Sequence, residues 1–479
     1  MKKSVRKLPL WLIKREERPL FLLLALLLFV LSFNHIVLHD IKDTLIVGYM
    51  GPEFLAFMKF WIILPGAVIF FFVYSKLSQH LSQGVILVAI LSLFAAFFML
   101  FSFYLFPTLH FDKHPTVLAD QPLSFRDLID YWDIVLFYLL SELWGNIALG
   151  LLFWGFANRV IRLSVAKRFY TPLNLATAIG GIFGGLMGSW LSSLAHRSGL
   201  GYDLTLKVLS TIVTVNIVIG IIFYLRTKNI LKDHAHLLQR RPQKEHVAIE
   251  NFWQSLKIVA GSKFLLLIAV IVLCFGLSFN LVEIIWKSQI KSLFSDLNRY
   301  GQFTSGVSIV QGIVSAVVIL LGAGIIPRIG WLKAALLTPL IVGITCLLFF
   351  SATFANKYVH VQASWFVVLP VYLGALHFIA IRTCRLAFFE PTKEMAFIPL
   401  NRTLKTQGKA AVDVMADRVG KGCGSLLQYT AISWLGSVIS FAPYAFGLAI
   451  LFFALWVYSI ILLWPQFKDR IRATRKTSL

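Results

Sequence analysis

Glu142 sits in Tyr138-Leu139-Leu140-Ser141-Glu142-Leu143-Trp144, a stretch otherwise apolar enough to lie in a bilayer. A carboxylate at the centre of a membrane helix costs about 2.5–3.5 kcal/mol on insertion scales, so it must pair, take up a proton or face water. Glu283 raises the same question, with Lys287 one helical turn away as a partner. Lys42 stands among His39, Asp40 and Asp43 where a first apolar run ends. A third cationic group contains Arg382, Arg385, Lys393, Arg402, Lys405, Lys409, Arg418 and Lys421, with Asp413 and Asp417 beside it. Lysines and arginines that converge on one cavity suit a polyanion such as a phosphate chain. Carboxylates in the same place would hold those cations while the cavity is empty.

The elements that position these residues are membrane helices. The 479 residues are 58% hydrophobic and only 14% charged, with a mean hydropathy of +0.78. A soluble chain would carry roughly a quarter charged residues. Twelve apolar segments approach the ~20 residues that a span requires. They lie at 19–39, 54–75, 83–106, 132–156, 174–194, 205–225, 263–285, 303–326, 331–352, 362–383, 411–436 and 441–464. The net charge of +23 falls mostly in short loops, which fits the positive-inside bias better than a nucleic-acid partner. The N-terminal arm, the 226–262 stretch and the C-terminal tail are basic and are expected in the cytoplasm. The acidic 107–131 loop is expected outside. The four cysteines have no metal-ligand spacing and read as small core residues.

Repeats divide the chain in two. Leu31-Ser32-Phe33-Asn34 and Leu277-Ser278-Phe279-Asn280 each close an apolar run just before charged residues. Pro172-Leu173-Asn174 and Pro399-Leu400-Asn401 precede the fifth and eleventh segments. The expected division is an N-terminal six-helix half at 1–225, a cytoplasmic basic linker with an amphipathic helix at 226–262, and a C-terminal six-helix half at 263–479. This is an all-α membrane protein with an arrangement like the major facilitator superfamily, its binding site lying between the halves. Helix five, with Gly180, Gly181, Gly184, Gly185 and Gly188, is expected to pack closely against its neighbours. No HExxH, GxSxG or GxxxxGK[ST] motif occurs. A membrane-embedded enzyme, the rival class, would need a paired-carboxylate or metal site.

Several longer stretches carry a family resemblance. They are Lys42-Asp43-Thr44-Leu45, Ser141-Glu142-Leu143-Trp144-Gly145, Asn280-Leu281-Val282-Glu283, Trp286-Lys287-Ser288, Lys393-Glu394-Met395-Ala396-Phe397 and Gly408-Lys409-Ala410-Ala411-Val412-Asp413. Together they resemble the ATP/ADP translocase family of nucleotide transporters of intracellular bacteria and plastids. The resemblance implies a nucleotide substrate (ATP, ADP or another nucleoside triphosphate) crossing a bacterial inner membrane, with both chain ends cytoplasmic. It implies a monomeric carrier that needs no cofactor and no metal. The substrate-binding candidates are then Lys42, Glu142, Glu283, Lys287, Arg385, Asn34 and Asn280, with Lys405 or Lys409 as the last cation. The coupling candidates are His39, Asp40, Asp43 and Asp413. Exchangers of this family resemble one another in an arginine at the position of His39. A titratable imidazole there puts proton-coupled import ahead of ATP/ADP exchange as the expected mode.

Overall fold

A computed structural model describes residues 13–110, 125–161, 163–233, 259–322, 325–358, 364–400, 412 and 417–477. Every regular element among them is a helix. Among the described residues, eleven helices are long and apolar enough to cross a membrane. The first six are α1 (Arg15–Tyr49), α2 (Phe54–Ser78), α3 (Gly84–His110), α4 (Trp132–Ala157), α5 (Pro172–Arg197) and α6 (Tyr202–Ile230). The second group comprises α7 (Lys263–Leu293), α8 (Leu297–Leu320), α9 (Trp331–Asn356), α10 (Trp365–Phe397) and, last in the chain, α12 (Val438–Arg472). Between the last two lies α11 (Asp417–Leu435), shorter and more polar, which completes the second six.

The expected end of the first span at residue 39 is ten residues short. Instead of stopping at the charged cluster, α1 runs through it to Tyr49. Likewise α7 continues eight residues past 285 to Leu293. The charges are therefore mid-helix, buried and paired, and a helix with paired charges has no reason to end there. Gly51, at φ 96°, provides the left-handed turn that starts α2. Of the cysteines, Cys274, Cys346 and Cys384 are buried as expected, whereas Cys423 is exposed on α11.

Within each half, a tryptophan ties two helices together. Trp144 of α4 donates Nε1–H to the Leu31 carbonyl of α1 at 3.1 Å. Trp286 of α7 donates to the Val371 carbonyl of α10 at 2.8 Å. Both rings are buried, so neither is placed to stack a base. The glycines of α5 serve two faces. Gly180 and Gly184 lie on the Phe29 and Phe33 carbonyls of α1, while Gly185 and Gly188 lie on Ser305 and Ile309 of α8, in the other half. A methyl group at Gly184 would come 2.8 Å from the Phe33 oxygen, a backbone atom that cannot swing away. Gly184→Ala is expected to lower stability in detergent by about 1–3 kcal/mol, measured by thermal unfolding.

The halves meet at the end of the bundle marked by Tyr49. Lys291 of α7 donates to the Val47 and Gly48 carbonyls of α1 at 2.5 and 2.9 Å. Asn298 accepts from Thr205 at 2.9 Å and donates to the Leu200 carbonyl at 3.1 Å. His196 bridges Asp296 and Arg299 at 3.0 and 2.8 Å.

Candidate functional site

One chain of alternating charges runs through both halves. Glu142 (α4) meets Lys42 (α1) at 3.1 Å, and Lys42 meets Asp43 at 2.6 Å. Asp43 reaches across to Lys287 (α7) at 2.7 Å, and Lys287 pairs with Glu283 at 2.7 Å. Glu283 closes the series on Lys59 of α2, back in the first half. Lys59 also donates to the Asn280 side chain at 3.0 Å. Each ion has a partner of opposite sign, which is the condition under which buried charge is tolerated. Lys42 additionally lies 4.3 Å from the Tyr138 ring centre, a favourable position for an ammonium group.

Exposure is uneven along this chain. The Asp43 residue is only 2% exposed, and Lys42, Glu283 and Lys287 are similarly buried. The Glu142 side chain is 36% exposed and is the most open of the six.

A second arrangement faces the first. Arg382 of α10 packs its guanidinium 4.1 Å from the Phe378 ring centre and bonds Gln311 of α8 at 3.3 Å. Its Nη2 lies 2.9 Å from His39 Nε2 across the interface. Guanidinium is only a donor, so His39 Nε2 accepts and the imidazole is neutral in this state. Among the described residues no carboxylate lies within ion-pair distance of Arg382. Among the described residues it is thus held by hydrogen bonds and an aromatic ring rather than by a salt bridge.

The expected site residues are thus distributed among several environments. Lys42, Asp43, Glu142, Glu283 and Lys287 come together in the charge chain. Asn280 joins it through Lys59. His39 and Asp40 lie beside it, and Asp40 turns to α8, accepting from Ser305 at 2.9 Å and Ser308 at 3.2 Å. Asn34 is engaged elsewhere: it donates to the Val213 carbonyl at 3.1 Å and accepts from Asn216 at 3.2 Å, between α1 and α6. Arg385, the next turn after Arg382, is paired with Glu390 at 3.3 Å. Lys405, Lys409 and Asp413 lie outside the described residues. Lys59 was not among the expected residues. Its signal in the sequence is a lone cation inside the apolar 54–75 segment, a placement as costly as that of Glu142.

Comparison with known proteins agrees with this architecture. A model of the family described as TLC ATP/ADP transporter matches residues 1–467. The chain is 36% identical to "ADP,ATP carrier protein 1" of Chlamydia muridarum, over 95% of this chain and 88% of that one. It is 33% identical to the "Plastidic ATP/ADP-transporter" of Solanum tuberosum, over 91% and 71% respectively. Among solved structures, a bacterial homologue of the iron transporter ferroportin, in an inward-facing state, superposes with a TM-score of 0.60. That similarity covers 94% of this chain and 98% of the other at 13% identity, and concerns the fold alone.

Proposed function

Because the chain belongs to the TLC ATP/ADP transporter family, we propose that it carries adenine nucleotides across a membrane by alternating access, exchanging ATP for ADP. The observation that supports this most is the charge chain itself. Six ions from α1, α2, α4 and α7 hold the two halves together on one side, and the most open of them is a carboxylate that a phosphate can replace.

In this reading the nucleotide phosphates approach Arg382 and Lys42. Contact with Lys42 releases Glu142, and the loss of that pair loosens the neighbouring links Lys42–Asp43–Lys287. A ligand shifts the balance between conformations only by binding one better than the other. Here the difference lies in which anion neutralises Lys42, the substrate or Glu142. The basic N-terminal arm and C-terminal tail support a reading in which the Tyr49 end faces outside and the two chain ends face the cytoplasm. The division into residues 1–225 and 263–479 about a basic linker fits that movement.

Exchange is favoured over proton-coupled import by the state of His39. Its Nε2 is occupied by Arg382, so the imidazole serves here as an acceptor rather than a free proton carrier. The two modes separate in proteoliposomes. Uptake of labelled ATP is expected to require ADP inside and to ignore an imposed pH gradient. Uptake into empty vesicles driven by that gradient would establish import instead. In the same assay Lys42→Gln is expected to insert normally and bind nucleotide roughly 10- to 100-fold more weakly, the loss of about one to two decades for a charged contact. Unchanged affinity would remove Lys42 from the site.

A further inference from the structure

Asp40 does not take part in the charge chain. The residue is 7% exposed, and its carboxylate accepts from two hydroxyl groups of α8, Ser305 and Ser308. Among the described residues no lysine or arginine lies within ion-pair distance of it. The nearest basic group is His39 Nδ1 at 3.5 Å. That imidazole is held neutral by the guanidinium on its other nitrogen. A buried carboxylate inside the membrane without a positive partner calls for one.

Beside Asp40 is a small, largely enclosed cavity. Its polar lining is oxygen throughout: Asp40, Thr44, Ser192, Tyr202 and Ser305. Gly188 and Gly301 leave the space open, since a methyl group at either would press on the Ser305 or Ser192 hydroxyl. The room available is about 10 Å³, enough for the centre of one water-sized sphere. Ser192 is 2% exposed and has no hydrogen-bond partner among the described residues. A hydroxyl so buried normally has one.

We propose that this cavity is a binding site for one monovalent cation of the size of sodium. The ligand set is one carboxylate and several hydroxyl oxygens, hard donors that suit an alkali ion. One negative charge balances one positive charge. Magnesium does not fit, because it retains an octahedral shell of waters for which there is no room. A water molecule would satisfy Ser192 without placing a positive charge directly on the Asp40 carboxylate.

The ligands come from both halves. Asp40, Thr44, Ser192 and Tyr202 belong to α1, α5 and α6, and Ser305 belongs to α8. Separation of the halves at the Tyr49 end would pull this set apart. The bound ion therefore favours the closed form by its differential affinity. This site does not rest on the nucleotide reading, and its test uses no nucleotide.

The test is thermal unfolding of the purified full chain in detergent, in sodium chloride and in choline chloride at equal ionic strength. Sodium is expected to raise the midpoint by about 2 °C or more through preferential binding to the folded form. Asp40→Asn is expected to abolish the rise. Ser192→Ala is expected to shift the sodium titration to concentrations several-fold higher, and it keeps the test open should Asp40→Asn fail to fold. Equal midpoints in the two salts, or an undiminished sodium response in Asp40→Asn, would overturn the proposal. So would stabilisation by acid in choline chloride without any response to sodium, because the carboxylate would then be holding a proton.

Discussion

Asp43→Asn is expected to reduce nucleotide exchange by more than about a hundredfold and to destabilise the closed conformation by about 3–5 kcal/mol, the range for removing one partner from a buried ion pair. Asp43 holds a lysine of each half, Lys42 on α1 and Lys287 on α7. Asparagine keeps the shape and loses the charge. It leaves two ammonium groups facing each other, with only Glu142 and Glu283 at the far ends to balance them. The effect should be seen both as a lower unfolding midpoint and as loss of counterflow. Lys287→Met on the Asp43→Asn background removes one stranded cation and is expected to recover part of the midpoint without restoring exchange. A double variant no more stable than Asp43→Asn alone would show that the Asp43–Lys287 link is not what closes the halves.

Glu142→Gln is expected to act in opposite directions on binding and on transport. In the proposed mechanism a substrate phosphate competes with Glu142 for Lys42, which Glu142 holds in this structure. Glutamine competes poorly, so nucleotide affinity should rise by about tenfold, equivalent to ~1.4 kcal/mol. Turnover should fall by at least roughly tenfold, because the carboxylate that displaces the departing nucleotide from Lys42 is gone. Equilibrium binding and counterflow on the same preparation separate the two effects. If the variant instead binds nucleotide more weakly, Glu142 contacts the substrate directly and does not compete with it.

Much of this site was legible in the sequence because hydropathy makes charge inside an apolar segment conspicuous. Glu142 and Glu283 stand out in that way, and the pairing of Glu283 with Lys287 follows from their spacing. The partners across the interface are another matter. Sequence spacing contains no information about α1 facing α7, so Asp43 could be recognised as a candidate but not as the junction of the halves. Lys59 was overlooked although its apolar context was as anomalous as that of Glu142. The early ends assigned to α1 and α7 have the same origin. Reading each charge as a boundary is sound for an isolated helix, and fails when pairing with a second half offsets the cost of burial. Asn34 and Asn280 illustrate the limit of repeat detection. They occupy matching places in the two halves, yet one bonds α6 and the other holds Lys59, so repetition preserved position and not chemistry.

The winding of the helices adds one consequence. Gly145–Trp154 in α4 and Arg385–Phe389 in α10 are π-helical, and each begins within three residues of a partly buried charge, Glu142 or Arg382. A π segment carries more residues per turn than the α-helix around it and is held by poorer hydrogen bonds. Relaxing it to α geometry passes the surplus residue along the rod and rotates everything beyond it by about 100°. In the proposed mechanism α4 and α10 therefore each contain a swivel beside a charge, and a local screw motion of either helix would accompany the swing of the two halves.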